Sequence, residues 1–391
     1  MNVKPFFADL HIHIGRTERG LPVKITGARN LTFDHIVREA SLRKGMDMVG
    51  VIDAHSPPVQ QEIERNLYQG HYQELVGGGI GYGHTTVILG MEIEVRKKGT
   101  GPAHLLAYFP TLDHIRDFSD WMTPFVKNMQ LSTQRFHGEI SALEEKVMEL
   151  GGLLIPAHIF TPFKSLYGSA AEQIPDLFHP HRLSAVELGL SADSEMADHI
   201  AELQEITFLS NSDAHSLAKI GREYNELMMV EPNFQELKKV LARREGRYVS
   251  ANYGLNPKLG KYYRTRCQKC SQILSPDRDR CDRCKSTKVI RGVMDRISQI
   301  ADSNGKPPNH RPPYIYQVPL EFIPGLGPKT LDRLLERFGT EMDVLHRAPI
   351  HEISSLVGGS IAHQIHLARE RRLEFEEGGG GIYGKVKSKK V

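Results

Sequence analysis

Short apolar runs, separated by stretches with helical periodicity, dominate the first 240 residues of the chain. The runs predict strands at Phe6–Leu10, Met48–Ile52, Thr86–Leu89, Leu105–Phe109, Gly152–Pro156, Ala185–Leu188 and Phe208–Ser210. The periodic stretches predict helices at Phe33–Lys44, Ile140–Leu150, Glu195–Leu203 and Asn233–Arg244. This alternation is typical of a parallel α/β sheet or barrel. Seven strand–helix units without a Gly-x-Gly-x-x-Gly turn after the first strand favour a barrel of TIM type.

The pattern changes after Leu255, where a cysteine cluster and then a Pro-rich connector interrupt the apolar runs. Residues 255–311 carry 14 Lys or Arg and 5 Asp or Glu, whereas the whole chain has a net charge of only +3. The local excess of basic residues marks this insert as a separate unit. We predict a domain at 1–250, a cysteine domain with its connector at 251–312, a helical domain at 313–375 and a flexible tail at 376–391.

Composition excludes several classes of protein. A chain of 391 residues with 40% hydrophobic and 25% charged residues fits a globular protein of two or three domains. No stretch approaches the ~20 apolar residues that a spanning helix needs. The first residues carry histidines instead of an apolar signal region, so we expect a cytoplasmic protein without membrane partners.

Ionisable residues follow most of the predicted strands. His11 and His13 are two residues apart, so on a strand both imidazoles point to the same side and can bind one cation. The other residues at strand ends are Asp53, His55, Glu92, His158, Asp213 and His215, whereas His104 begins its strand. Buried charges gathered at one rim are costly unless metals neutralise them. Imidazole and carboxylate together favour Zn²⁺, Mn²⁺ or Fe²⁺ over a site for Mg²⁺ alone.

These motifs, in this order, resemble the polymerase-and-histidinol-phosphatase (PHP) superfamily over roughly residues 1–247. The resemblance implies a distorted (β/α)7 barrel and a catalytic metal held by His11, His13, Glu92 and Asp213. It implies a second metal on Glu92, His104 and His158, and a third on His55 and His215. Glu18 and Arg19 stand where many members have another acid or His, so Asp53, Glu18 or no further residue would complete the third site.

Two or three close cations can activate water and stabilise an in-line displacement at phosphorus. Phosphoester hydrolysis is therefore the expected chemistry. Amide hydrolysis remains open from the metal ligands alone, and the remaining domains must decide between the two.

The four cysteines form two Cys-x-x-Cys pairs ten residues apart. Cys267, Cys270, Cys281 and Cys284 can surround one structural Zn²⁺, which predicts a zinc ribbon. A redox dithiol or disulfides are the alternative. The ribbon is rich in basic and aromatic residues suited to DNA, and we select Lys261, Tyr262, Arg264, Arg266 and Arg283. The alternative for these residues is a solvated surface.

Ile323-Pro-Gly-Leu-Gly-Pro-Lys-Thr-Leu331 resembles a helix-hairpin-helix motif, which binds DNA without reading sequence. Gly325 and Gly327 allow the main chain to approach a phosphate at a helix start, and Lys329 adds charge. Residues 353–362 form a weaker second copy. A helical module for protein contacts is the alternative.

The combined modules resemble the endonuclease Q family of DNA-repair nucleases to about Arg372. The resemblance implies hydrolysis of the phosphodiester 5′ to uracil, hypoxanthine, xanthine or an abasic site by a metal-activated hydroxide, leaving 3′-hydroxyl and 5′-phosphate ends. We expect a monomer that binds double-stranded or single-stranded DNA, with two or three divalent metals in the barrel and one zinc in the ribbon. No terminal motif for a sliding clamp is evident.

A lesion nuclease must hold the extruded base close to the metals. The segment after His158 offers aromatic and small residues for such a base pocket: Phe160, Phe163, Tyr167, Gly168 and Ser169. The alternative is that these aromatic rings belong to the core. Glu187 to Ser191, at another strand end, is placed to support the same pocket.

Two other functions remain open from the sequence. A PHP-type small-molecule phosphatase or 3′-5′ exonuclease would have little use for about 140 C-terminal residues. A non-catalytic DNA-binding recruitment protein would leave the complete ligand set unexplained.

Overall fold

The computed structural model describes residues 2–370, 372–373, 375–376 and 383–386. Its strands up to the cysteine region are β1 (Lys4–Ile12), β2 (Met48–Val51), β3 (Gln73–Glu74), β4 (Ile80–Tyr82), β5 (Thr85–Val95), β6 (Ala103–Phe109), β7 (Leu153–Pro156), β8 (Val186–Glu187), β9 (Phe208–Leu209), β10 (Tyr224–Met229) and β11 (Tyr248–Gly254). Each of the seven predicted strands is confirmed, with ends that differ by a few residues at most except in β5, which continues to Val95. Within the described ranges, no helix combines the length and apolar character that a bilayer span requires.

Helices alternate with these strands and pack on the sheet. They are α1 (Phe33–Arg38), continued by a π-helical turn (Glu39–Lys44), α2 (Pro57–Tyr68), α3 (Leu112–Met122), α4 (Ile140–Glu149), α5 (Ser194–Ala197) and α6 (Phe234–Leu241). Side chains cap several of them; Thr111 accepts from the backbone of His114 at α3, and Asn233 accepts from Glu236 at α6.

The prediction of one continuous helix at Glu195–Leu203 is wrong. It is divided into α5 and a 3₁₀ turn at Ala201–Leu203. Between them the backbone bonds to the connector: the N–H of Ala201 donates to the Asp302 carboxylate at 2.7 Å, and the His199 carbonyl accepts from Asp302 at 3.0 Å. These bonds replace the helical ones, so the helix cannot continue.

The sheet is mixed, not purely parallel. Strand β1 pairs in parallel with β2, and β2 with β5, but β6 is antiparallel to both β5 and β7. Strands β8 and β9 form a parallel pair, and the Ala214 segment after β9 returns to β1 through His13 N–H to Ala214 O (3.0 Å) and Ala214 N–H to His11 O (3.1 Å). The apolar side chains between sheet and helices form the core.

The direction of β6 explains the position of His104. Only seven residues connect Val95 to Ala103, too few for a crossover helix, so β5 and β6 form an antiparallel pair. The N-terminal end of β6 therefore lies at the same edge as the C-terminal ends of β1, β2 and β7. His104, which begins its strand, thus reaches the rim that the other candidates occupy.

The cysteine region and the chain beyond it remain attached to this body. Strand β11 crosses the predicted boundary at residue 250, and its partner Tyr314–Tyr316 comes from beyond the connector. In the connector, Arg311 forms a buried ion pair with Asp198 at 2.9 Å, and its guanidinium lies 3.3 Å from the centroid of the Phe208 ring. The remaining strands are β12 (Arg266–Cys267), β13 (Val289–Ile290), β14 (Tyr314–Tyr316), β15 (Phe375–Glu376) and β16 (Lys385–Val386).

The C-terminal region is helical, with α7 between the cysteines and the connector. These helices are α7 (Val293–Ile300), α8 (Pro328–Phe338), α9 (Glu341–His346), α10 (Ile350–Val357) and α11 (Gly359–Arg369). A buried ion pair, Lys44 to Glu341 at 2.9 Å, fixes α9 to the π-helical turn that follows α1. Most of the predicted tail at 376–391 lies outside the described residues, although β15 pairs with β16.

Candidate active site

Two imidazoles from β1 and two carboxylates form the first group at the rim. The Nε2 atoms of His11 and His13 each lie 3.4 Å from Asp213 Oδ1 and 3.6 Å from an oxygen of Glu92. All four side chains therefore converge on one point, and His11, His13 and Glu92 satisfy the spacing of a metal site. This is the ligand set that the family resemblance implied for the first metal.

Glu92 also belongs to a second group. His104 Nδ1 lies 2.7 Å from Glu92 Oε1, and His158 Nε2 lies 3.6 Å from the same oxygen. The three donors lie within 4.8 Å of one another. Glu92 is therefore shared by both groups, and its carboxylate would help to hold a cation at either one.

The third group differs from the set that the resemblance implied. His215 joins His13 and Asp213 within the same spacing, whereas His55 is in none of the groups found among the described residues. The His55 ring is buried and its Nε2 hydrogen-bonds to the Leu131 carbonyl at 3.3 Å. Glu18 pairs with Arg65, away from this cluster. Of these three residues, only His215 lies within ligand spacing of other donors in the described part of the chain, although His55 Nδ1 is buried without a hydrogen-bond partner.

Two buried carboxylates orient the imidazoles of β1. Glu187 Oε2 lies 2.9 Å from His11 Nδ1, and Asp53 Oδ2 lies 3.0 Å from His13 Nδ1. A carboxylate on Nδ1 fixes the ring and leaves Nε2 free for a metal. Asp53 therefore lies behind His13, where it can orient a ligand. Glu187, selected from the sequence only as pocket support, has the same position behind His11.

The electrostatics keep the carboxylates ionised. Burial alone would raise the pKa of Glu92, but His104 and the ammonium of Lys24 hold that pKa well below its usual value. Burial opposes ionisation of His11 as well, yet Glu187 and Asp213 raise its pKa to about 10.

Buried polar atoms without hydrogen-bond partners fit a cluster that holds cations. His11 Nε2 and Asp213 Oδ1 are buried and have no hydrogen-bond partner in the described part of the chain. Unpaired buried polar atoms are costly, and metal ligation would satisfy both. His158 and Asp213 also have positive φ angles of 33° and 47°, a strain that concentrates at functional sites. Gly189 accommodates His158, since a Cβ there would lie 2.5 Å from the His158 Cβ.

Sequence reasoning missed two groups that contact Glu92. Lys24 Nζ lies 3.2 Å from Glu92 Oε2, and the Thr133 hydroxyl donates to the same oxygen at 2.5 Å. Both residues come from loops without a strand-end pattern, so neither had a local signal. Ser132, beside Thr133, contacts His13 Nδ1 at 3.3 Å.

A cavity of about 420 Å³ opens beside the candidate ligands His104, His158, Asp213 and His215. Of the predicted base-pocket residues, Phe163 lines this cavity and is 54% exposed. Phe160 and Tyr167 are buried and stack on each other with ring centroids 5.3 Å apart, as the alternative of core aromatics requires. Gly168 lines a neighbouring cavity, and Ser169 lies against Gly101. The base pocket stays a prediction, with Phe163 its best-placed member.

The four cysteines form a separate cluster on β12 and the following loops. The Sγ atoms of Cys267 and Cys284, and those of Cys270 and Cys281, lie 3.5 Å apart. That separation exceeds the ~2.0 Å of a disulfide and is close to the ~3.8 Å between thiolates on one tetrahedral zinc. The donor set and its spacing fit a structural zinc.

The predicted DNA-binding residues occupy three places: the cavity, the start of α8 and the cysteine region. Lys261 and Tyr262 line the metal cavity. Gly325, Gly327 and Lys329 are exposed at the start of α8. Arg264 is half-buried with Asp295 at 3.6 Å, Arg266 is half-buried, and Arg283 is exposed.

Comparisons with known proteins identify relatives of the chain. The family model described as PHP-associated matches residues 193–245. The uncharacterized protein YqxK of Bacillus subtilis is 47% identical over 388 residues, which cover 98% of this chain and all of YqxK.

Two solved structures are similar over nearly the whole chain. A lesion-specific endonuclease from Pyrococcus furiosus, PfuEndoQ, has a TM-score of 0.84 and 32% identity, covering 98% of this chain and 95% of its own. Endonuclease Q bound to a 27-mer duplex with an abasic lesion at its active site has the same TM-score and identity, covering 98% and 96%.

Proposed function

The chain belongs to the endonuclease Q family, and from this premise we propose that it is a DNA-repair enzyme that cuts 5′ to deaminated bases or abasic sites. It is a metal-dependent DNA endonuclease of mixed α/β fold. The proposed deaminated bases are uracil, hypoxanthine and xanthine, and the proposed products have 3′-hydroxyl and 5′-phosphate ends. Either double-stranded or single-stranded DNA is a candidate partner, and the chain is expected to act as a monomer.

One observation carries the proposal: a buried cluster of imidazoles and carboxylates, with unpaired donor atoms, opens onto a cavity lined by cations and aromatic rings. The atoms without a hydrogen-bond partner are His11 Nε2 and Asp213 Oδ1. Lys261, Tyr262 and Phe163 line the cavity beside them. Cations near a hydrolytic centre suit a phosphodiester, and aromatic rings suit an unpaired base.

Different residues of the chain would orient the metal ligands and hold the metals. Glu187 and Asp53 hold the imidazoles of β1 so that each Nε2 faces Asp213 and Glu92. Divalent metals on these ligands would polarise the phosphodiester and lower the pKa of water towards ~7. The buried rim excludes bulk water around the carboxylates, which strengthens every charge interaction there.

Lys24 and Thr133 fix the bridging carboxylate. Their contacts to Glu92 Oε2 leave Oε1 directed at His104 and His158. Glu92 therefore cannot rotate without losing an ion pair and a hydrogen bond. We assign Lys24 and Thr133 to positioning this ligand.

Cutting assays on defined duplexes test the proposal. Purified protein with Mn²⁺ is incubated with duplexes that carry one uracil, hypoxanthine, xanthine or abasic site, and the cut is mapped on a sequencing gel. We expect a single nick 5′ to each lesion and none in the undamaged duplex. Equal cutting of undamaged DNA, or phosphate release from small phosphoesters without nicking, would contradict the proposal.

A pair of variants connects the nick to the cluster. Asp213→Asn removes a charge that faces both His11 and His13, and we expect nicking to fall below detection. Asp113→Asn, at an 86% exposed side chain on α3, is the matched control and should cut like the original chain. Retained nicking in Asp213→Asn would exclude Asp213 from the site.

A further inference from the structure

Tyr383, from the C-terminal segment, lies at the mouth of the metal cavity. The N–H of the next residue, Gly384, donates to the Leu259 carbonyl at 2.9 Å, and β16 pairs with β15 just beyond it. Tyr383 lines the cavity together with Lys261 and Arg222. A residue more than 160 positions from Asp213 in sequence thus forms part of the same wall.

Aromatic rings surround a cation at this mouth. Lys261 Nζ lies 5.0 Å from the Tyr262 ring centroid and 5.7 Å from that of Tyr383, so the ammonium contacts both rings. The Phe163 ring packs edge-on against Tyr262 with centroids 5.8 Å apart. Three aromatic side chains and a lysine therefore edge the opening, a combination that binds unpaired nucleotides.

Arg222 is another cation of this wall and is almost entirely buried. Its guanidinium donates to the Ser212 carbonyl at 2.6 Å and to the Tyr383 hydroxyl at 3.4 Å. Arg222 is 8% exposed, and its Nε has no hydrogen-bond partner within the described ranges. A buried guanidinium N–H without an acceptor is costly, and Arg222 lines the cavity, where its positive charge would attract a phosphate.

We propose that Tyr383 and Arg222 form a nucleotide subsite of the active site. Tyr383 stacks on the base of an unpaired nucleotide, and Arg222 binds a phosphate beside it. The proposal rests on the function proposed above and assigns a substrate contact to the C-terminal segment.

Binding to two duplexes that differ only in one base tests the stacking. The background variant Asp213→Asn prevents cutting, and dissociation constants are measured by fluorescence anisotropy for a duplex with one uracil and for the same duplex with an abasic site. We expect Tyr383→Ala to weaken binding of the uracil duplex about 10-fold, within the range for loss of one base–aromatic stack. Binding of the abasic duplex should change less than about 2-fold, since it has no base at that position.

Further variants separate stacking from other roles. Tyr383→Phe should retain binding to both duplexes, and Tyr68→Ala, at a 92% exposed ring, should change neither. Arg222→Gln should weaken both duplexes alike, because both have the phosphate. Three results for Tyr383→Ala would each overturn the proposal: equal losses of affinity for the two duplexes, no loss of affinity, or tighter binding. Tighter binding is expected if Tyr383 only covers the cavity.

The outcome for the proposed function is read separately. Cutting of lesion duplexes by the original chain decides that function, whereas the ratio of the two dissociation constants decides the role of Tyr383. If the original chain cuts the lesions but Tyr383→Ala loses equal affinity for both duplexes, the proposed function stands and only the subsite is refuted.

Discussion

The rim cluster and the four-cysteine cluster both have the donor spacing of a metal site, but they are built in opposite ways. The cysteines come from two local Cys-x-x-Cys pairs within 18 residues. The rim ligands come from strand ends spread from His11 to His215. Thiolates from two turns can close around one ion, whereas the rim donors open onto a cavity that a substrate can enter.

The two sites differ in how much of the fold is needed to bring their donor atoms together. A closed thiolate site needs only its own loops and contributes folding energy to them. The rim needs the whole sheet, because Glu92 must reach His13 on one side and His104 on the other. The rim also depends on carboxylates that orient the imidazoles, such as Glu187 behind His11. Thiolate ligands do not need such carboxylates.

The largest expected effect breaks the bridge of the rim. Glu92→Gln removes the charge shared by two ligand groups, so we expect both to lose metal and nicking to fall more than about 100-fold, beyond the range for residues that only orient a ligand. Metal content by mass spectrometry and single-turnover nicking measure this. Glu149→Gln, at a 67% exposed side chain on α4, is the control. A Glu92→Gln protein with full metal content and rate would refute the bridging role.

Glu187→Gln tests the carboxylate behind His11. Without that charge the imidazole loses its fixed orientation, and we expect a 10–100-fold loss in metal affinity or rate. Titration with Mn²⁺ followed by nicking assays gives both quantities. Glu195→Gln, exposed on α5, should leave both unchanged. If the two variants behave alike, Glu187 does not orient His11.

The same contrast explains how much the sequence could predict. The cysteine spacing is a local signal, and the strand-end rule found His11, His13, Glu92, His158 and Asp213 because parallel strands share one edge. His104 followed no such rule until the antiparallel direction of β6 was known.

Residues that depend on tertiary contacts escaped prediction. Lys24 and Thr133 reach Glu92 from separate loops, and nothing in their local sequence marks them. Phe160 and Tyr167 have the composition of a base pocket, yet their rings are buried against each other. Side-chain direction in an irregular loop is set by packing, which residue types alone do not reveal.

Breaking the cysteine cluster should spare the rim. Cys284→Ser removes one of four thiolates, so we expect loss of one zinc and of the order around β12 and β13. The Kd for lesion DNA should rise about 10-fold, or about 1.4 kcal/mol, because basic side chains such as Arg283 are no longer held in place. The single-turnover rate at saturating enzyme should stay within about 2-fold. Ser275→Ala is the control, and a collapse of that rate would show that the two sites are coupled.

The smallest effect concerns Lys329, which belongs to neither metal cluster. It is exposed on the first turn of α8, where a lysine can contact a DNA phosphate beside the helix N-terminus. Lys329→Ala should weaken binding a few-fold on damaged and undamaged duplexes alike, and reduce the slope of log K against log salt by about 0.9. Lys4→Ala, at the end of β1 opposite the rim, is the matched control. A loss confined to damaged DNA would instead place Lys329 in lesion recognition, and an unchanged slope would exclude a phosphate contact at this helix.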